Sequence, residues 1–177
     1  MESRNHNKNR ATPKSHTSRK IAKHKFMRTL GNIIWHIPFL GFLSALGTFL
    51  LGGLLVITVI GAPIGFGLIQ LSKFLLAPFS NSMVSGSELN QNQNPLWKSF
   101  GFIVRIIYFP IGLFLAVVVI LQIVGLFITI IGIPIALVLA KSLSTYFNPV
   151  NKKCVSKAVA IELENRKARM QVASTLG

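Results

Sequence analysis

The side chains that could carry proton transfer, nucleophilic attack or metal binding are few and scattered. The chain has four acidic residues, four histidines and one cysteine, Cys154. The acids and histidines are Glu2, Glu88, Glu162, Glu164, His6, His16, His24 and His36. None of the acids lies in an apolar segment, and His16 and His24 are not spaced as metal ligands on a helix. The sequence therefore predicts no catalytic site, no metal site and no cofactor.

A second group of polar residues interrupts the apolar parts of the chain: Gln70, Arg105, Gln122 and Lys141. A charge at the centre of a bilayer costs about 2.5–3.5 kcal/mol, so such residues are either functional or close to an interface. Because Arg105 and Lys141 lie near segment ends, we expect their stems to extend to the headgroups. Gln122 is central, where it can form an interhelical hydrogen bond or line a pathway.

The charge of the chain is segregated towards its ends. Lys and Arg number 19 against 4 acids, a formal net charge of +15, yet 51% of the residues are hydrophobic. Nine basic residues lie within positions 1–28 and seven more from Lys141 onward. Basic ends around an apolar middle predict a membrane protein with both termini in the cytoplasm. They argue against a nucleic-acid-binding protein and predict contact of the basic tails with anionic lipid.

The longest apolar run supports a bilayer as the surrounding solvent. Residues 113–131 carry no charge, and fifteen of these 19 residues are Leu, Ile, Val or Phe. On an insertion scale those fifteen contribute about −5 to −9 kcal/mol, which the intervening Gln and Thr do not reverse.

One apolar phrase occurs twice. The segment ITVIGAPIG at 57–65 recurs as ITIIGIPIA at 128–136, which is 71 positions later. The same offset, without gaps, pairs Pro78 with Pro149. A fixed offset of this kind predicts tandem repeats.

Each predicted repeat has an apolar helix, a Gly-x-Pro break and a shorter helix. The breaks are Gly61 with Pro63 and Gly132 with Pro134. Proline removes a backbone donor, so each break is either a packed kink or a turn near the interface. The predicted fold class is therefore all-α, a multi-pass helical membrane protein built from two tandem repeats.

Composition divides the chain into five predicted parts. They are a basic disordered cytoplasmic tail (1–28), a membrane repeat (29–85), a polar linker (86–99), a second membrane repeat (100–156) and a basic cytoplasmic helical tail (157–177).

Two topologies agree with this division. Each repeat can be a hairpin, which gives four spans with the tails and the linker all in the cytoplasm. Alternatively, each repeat crosses once and its short segment is re-entrant or interfacial, so that the linker is outside and the repeats are inverted. The linker contains no Lys or Arg before Lys98, which slightly favours the second arrangement.

The pattern Asn-x-x-Trp at Asn32 and Trp35, followed by an apolar helix and Ile-Thr-x-Ile-Gly-x-Pro, resembles the bacterial YccF family, the inner-membrane component domain. The second copy departs from it, with Ile103 and Ile106 in place of Asn and Trp, and Ala136 in place of the last glycine. The resemblance implies a multi-pass protein of the bacterial inner membrane. It supplies no reaction, so it assigns no functional residues.

These observations favour a non-enzymatic protein with a structural, assembly or partner-modulating role in the membrane. A core of four short segments is small, so we expect a homo-oligomer or another membrane protein as partner. The alternative is a small oligomeric channel or transporter with the Gly-x-Pro breaks near its pathway.

Overall fold

The computed structural model describes residues 14–37, 40–89 and 94–176 and is mostly helical, as predicted. The helices and strands are α1 (Lys14–His36), α2 (Gly41–Ile57), α3 (Ala62–Leu76), β1 (Asn81–Ser85), α4 (Pro95–Phe127), α5 (Ile133–Phe147), β2 (Lys152–Ser156) and α6 (Lys157–Leu176). Short 3-10 turns lie at Gly86–Leu89 and Ile130–Gly132.

Helix α1 corrects the prediction of a disordered tail for part of its length. The helix begins at Lys14, so residues 14–28 are helical, while residues 1–13 lie outside the described part of the chain. No Gly or Pro interrupts the sequence from Lys14 to Leu30, and Lys, Arg, Ala and Met are good helix formers. Helix α1 therefore extends into the basic segment that was predicted to be disordered.

Helices α2 and α3 form a hairpin with a close crossing at two glycines. A Cβ atom on Gly52 would lie 2.9 Å from the Gly65 carbonyl oxygen, and one on Gly65 would lie 2.6 Å from the Gly52 oxygen. Small residues of this kind let helices approach in lipid. Helices α4 and α5 form a second hairpin, in which Gly112 lies against the carbonyl of Phe147.

The two Gly-x-Pro segments are turns between helices. The Thr58 hydroxyl donates to the Leu55 carbonyl at 2.7 Å and accepts from the Gly61 N–H at 3.2 Å. In the second hairpin, Thr129 donates to the Leu126 carbonyl at 3.1 Å and accepts from the Gly132 N–H at 3.1 Å.

The prolines of these segments follow in the first turn of the next helix. Pro63 lies in the first turn of α3, and Pro134 in that of α5. Proline is tolerated at this position because the amide hydrogen it lacks would have no partner within the helix.

A two-stranded sheet joins the hairpins and corrects the all-α prediction. Strands β1 and β2 are antiparallel, with Asn81 opposite Ser156 and Met83 opposite Cys154. Each strand has five residues and forms only because its partner follows the other hairpin. So short a polar segment has no periodicity from which a strand pairing between distant residues could be predicted.

Apolar side chains cover much of the outer surface. Within the part of the chain that the structure describes, two helical segments are long and apolar enough to cross a bilayer: Lys98–Phe127, with 30 residues, and Ile130–Phe147, with 18 residues. A third candidate is the bent pair Lys20–His36 and Gly41–Ile57, whose helices differ in direction by 75°. Helix α3 is apolar but shorter.

The turn geometry predicts that alanine at either turn glycine destabilises the protein. A Cβ on Gly61 would lie 2.9 Å from the Leu55 carbonyl oxygen, and one on Gly132 would meet the Leu126 carbonyl. We expect Gly61→Ala and Gly132→Ala each to cost about 1–3 kcal/mol, measured by thermal unfolding in detergent.

The matched control is Gly53→Ala in α2. A Cβ at Gly53 meets nothing within 4 Å, so this change should be neutral or slightly stabilising. Equal unfolding midpoints for all three variants would contradict the role of the glycines in the turns.

Candidate functional site

Side chains of α1 cap the carboxyl end of α3 by hydrogen bonding. The Trp35 Nε1–H donates to the Leu75 carbonyl at 2.8 Å, and His36 Nε2–H donates to the Leu76 carbonyl at 2.7 Å. Gly41 leaves room for the Trp35 indole, which is 4% exposed. The last four carbonyls of a helix have no partner inside the helix, so these donors supply what the backbone cannot.

Asn32, one turn before Trp35 on α1, forms hydrogen bonds with the residues that follow α3. Its Oδ1 accepts from the Phe79 N–H at 3.1 Å, and its Nδ2 donates to the Ser80 hydroxyl at 3.0 Å. Asn32, Trp35 and His36 are spaced i, i+3 and i+4, so they share one face of α1. The Asn-x-x-Trp pattern therefore holds the end of the first hairpin against α1.

The second hairpin satisfies the corresponding carbonyl with a different donor. Tyr108 on α4 donates from its hydroxyl to the Tyr146 carbonyl at 3.1 Å. Tyr146 lies 71 positions after Leu75, so it occupies the same place in the offset. Tyr108 is not among the residues predicted from the sequence, although a tyrosine within an apolar helix indicates a hydroxyl in need of a partner.

Gln70 and Lys141, which are also 71 positions apart, each contact the opposite hairpin. Gln70 Oε1 accepts from the Cys154 N–H of β2 at 3.1 Å. Lys141 Nζ donates to the Pro78 carbonyl at 3.4 Å and lies 4.9 Å from the centre of the Phe79 ring. The structure thus places both residues at the junction of the hairpins. Gln70 bonds to the backbone of strand β2, and Lys141 bonds to the backbone just before strand β1.

The other predicted site residues lie apart from these contacts. Gln122 is exposed on α4, and the described residues offer it no hydrogen-bond partner. Arg105, also on α4, is exposed near the start of the helix. Gly61, Gly132 and Pro134 lie at the hairpin turns. Pro63, although it follows the first turn, also borders the groove described next.

A groove of about 900 Å³ separates α3 from the beginning of α4. The loop between α5 and β2 forms its floor, because two glycines let the loop approach both helices. Gly67 of α3 lies against the Pro149 carbonyl, and a Cβ on Gly101 of α4 would lie 3.4 Å from Val150.

Four basic residues line this groove: Lys98, Arg105, Lys152 and Lys153. The Nζ of Lys152 donates to the Ser144 hydroxyl at 3.3 Å, in a neighbouring pocket that Glu88 also lines, so among the described residues the free cations of the groove are those of the other three. Burial lowers the pKa of Lys152, and the nearby Arg105 lowers that pKa further, while Glu88 acts in the opposite direction. Of the two charge effects on this pKa, that of Glu88 is the larger, so the surrounding charges on balance favour the protonated form of Lys152.

Acid, histidine and thiol chemistry is sparse in the described part of the chain. Residues 14–37, 40–89 and 94–176 contain no group of three His, Cys, Asp or Glu side chains that could hold a metal ion. Cys154 is a free, half-buried cysteine, and its burial raises the pKa of the thiol.

The fold and its surface define a membrane protein of helical type, because two apolar segments are long enough to span a bilayer and the exposed surface is rich in Leu, Ile, Val and Phe. Residues 30–81 match the family model of the YccF inner membrane component domain. The resemblance to this family is thus confirmed over the first hairpin and the end of α1 that contains Asn32, Trp35 and His36. Neither a curated protein nor a solved structure matches the chain.

The hydrogen bonds that cap the ends of α3 and α5 predict that removing either side-chain donor destabilises the protein. In Tyr108→Phe, the Tyr146 carbonyl loses its donor while the ring remains, and in Trp35→Phe the Leu75 carbonyl loses its donor. Leaving a buried carbonyl unsatisfied costs about 1–3 kcal/mol, and the partly buried contact of Tyr108 should lie at the lower end of that range. We expect thermal unfolding in detergent to show both losses, with the larger one for Trp35→Phe because its ring is also smaller.

The control is Phe114→Leu, which replaces an exposed ring on the same helix without removing a hydrogen-bond donor. Hydrogen exchange should quicken at the end of α5 in Tyr108→Phe and not in the control. An unchanged exchange rate there in Tyr108→Phe would contradict the assigned contact.

Proposed function

We propose that this chain is a non-catalytic integral protein of the bacterial inner membrane, with a structural, assembly or partner-modulating role and a homo-oligomeric state. The single observation that carries the proposal is how the polar groups of the apolar segments are used. Trp35, Asn32, Gln70, Tyr108 and Lys141 all bond to backbone atoms near helix ends or in the sheet. These groups serve the architecture, because each ties one element of the fold to the backbone of another.

The recurrence of element bounds supports two tandem repeats. Helix α5 begins and ends 71 positions after α3, and β2 begins and ends 71 positions after β1. In the sheet, Met83 faces Cys154, its own counterpart in the offset. A register centred on a self-related pair is what a pseudo-two-fold axis between two copies produces.

The hairpin turns support immersion of both hairpins in the bilayer. Ile57 and Ile60 at the first turn are 82% and 72% exposed, and Ile128 and Ile131 at the second are 82% and 75% exposed. Water would not favour such turns, whereas hydrocarbon or the membrane interface would. This geometry favours the hairpin topology, in which both tails and the linker face the cytoplasm.

The exposed face of α4 supports self-association. Gln122 and Gly125 are one turn apart, and a Cβ on Gly125 would meet nothing within 4 Å. A small residue beside an amide is typical of helix pairs in lipid, where the amide forms an interhelical hydrogen bond of about 1 kcal/mol. We infer that this face meets a second copy of the chain.

Cysteine crosslinking tests the proposed oligomer. In a Cys154→Ser background, Gln122→Cys should form a disulfide-linked dimer on mild oxidation in native membranes. The matched control is Val124→Cys, 58% exposed but about 200° around the helix from Gln122. Equal dimer yields at the two positions, or none at either, would contradict the proposed interface.

The channel alternative has one supporting feature, namely that Gln122 from several copies could surround an axis. Liposomes containing the protein distinguish the two functions. An ion or solute leak that Gln122→Leu abolishes would favour the channel, whereas tight liposomes with a crosslinked oligomer favour the structural role.

A further inference from the structure

We propose that the groove between α3 and α4 binds one anionic phospholipid, with the headgroup phosphate beside Lys98, Arg105 and Lys153 and an acyl chain along its apolar wall. The inference rests on the membrane location of the protein and on no particular role for it there. It concerns a defined site within the fold, separate from the basic tails.

The polar wall of the groove comes from two elements. Lys98 and Arg105 lie seven residues apart on α4, two turns along one face of the helix. Lys152 and Lys153 come from β2, which the loop at Pro149 holds against α3. The wall therefore combines side chains that are distant in sequence and fixed by backbone packing.

The positive charge of this wall has little internal compensation. None of the described lining residues of the groove is acidic. Lys152 is the compensated member of the set: Glu88, which also pairs with Lys167 of α6 at 2.7 Å, raises its pKa, and its Nζ donates to the Ser144 hydroxyl at 3.3 Å. Arg105 forms no hydrogen bond or ion pair with any described residue. An anion in the groove would give Arg105 a partner of opposite charge.

The opposite wall is apolar. Pro63 and Phe66 of α3 and Phe102 and Ile103 of α4 border the groove, and Phe102 is 62% exposed. A soluble anion such as free phosphate would leave this wall uncovered. A phospholipid carries a phosphate and hydrocarbon in one molecule, so it matches both walls.

The depth of the cations agrees with a headgroup site. The apolar segment Lys98–Phe127 has 30 residues and, at 1.5 Å per residue, is about 45 Å long. The hydrocarbon core takes up about 30 Å of that length, which leaves the first turns of α4 at the polar layer. Basic pockets between membrane helices at this depth are suited to anionic headgroups.

Native mass spectrometry of the full chain in mild detergent tests the site, with dioleoylphosphatidylglycerol and dioleoylphosphatidylcholine as probes. We expect one phosphatidylglycerol to bind about tenfold or more tightly than phosphatidylcholine. The double variant Arg105→Gln with Lys153→Gln should lose most of that preference, with phosphatidylglycerol binding weakened about tenfold. Each removed cation takes away a similar part of the electrostatic attraction to the headgroup.

The matched control removes two charges elsewhere, as Arg166→Gln with Arg169→Gln on the exposed part of α6. It should change the affinity by less than about twofold, because these residues lie outside the groove. Phe102→Ser should weaken phosphatidylglycerol binding, and glycerol 3-phosphate should not displace the lipid at equal concentration.

Three outcomes would overturn the proposal. They are an unchanged lipid preference in the groove variant, an equal loss in the α6 control, and displacement of the lipid by glycerol 3-phosphate. Lys98→Gln provides a second groove variant if the double variant misfolds, because Lys98 is exposed at the helix start. Crosslinking at Gln122 is independent of these results, so a failed lipid site leaves the proposed oligomer to be judged separately.

Discussion

The pairing of β1 with β2 is the interaction on which the rest of the arrangement depends. Each strand directly follows the second helix of its hairpin, so the pairing fixes where both hairpins end. Once the register is set, Gln70 reaches the backbone of β2 and Lys141 reaches the carbonyl of Pro78. The same register seats the loop at Pro149 against Gly67 and so shapes the cationic groove. A shift by one residue would exchange the two faces of each strand and remove these contacts together.

The second constraint is the unsatisfied backbone at helix ends. Away from water, an unpaired carbonyl is costly, so a donor must come from another element. The first hairpin uses the indole of Trp35 on Leu75, and the second uses the hydroxyl of Tyr108 on Tyr146. The equivalent carbonyl is therefore satisfied in both, while the donor and its position in the chain differ. The requirement is set by the carbonyl acceptor and not by a particular donor, which explains how the second hairpin can lack Asn-x-x-Trp.

Most of the helices were predictable because their determinants are local, although the sequence left open whether each Gly-x-Pro segment is a kink or a turn. A threonine, a glycine and a proline at fixed spacing specify each hairpin turn, and the 71-residue offset aligns α3 with α5. The sheet and the groove were not predictable, since each requires contacts between residues far apart in sequence. Lys152 and Arg105, for example, are 47 positions apart, and no spacing rule brings them together. For Gln70 and Lys141 the sequence indicated polar roles, but their backbone partners depend on the sheet register.

Disulfide formation at the centre of the sheet tests this account most directly. Met83 lies opposite Cys154, the only cysteine of the chain, and both side chains pack against the same buried cluster. Directly opposed antiparallel residues have Cα atoms about 4.5–5.5 Å apart, which is within the range of a disulfide. Oxidation of Met83→Cys at alkaline pH should therefore give a fast intramolecular disulfide whose rate is independent of protein concentration. The neighbouring variant Ser82→Cys, which points to the other face, should react far more slowly. An equal rate for the two variants, or only intermolecular products from Met83→Cys, would contradict the pairing of the two strands.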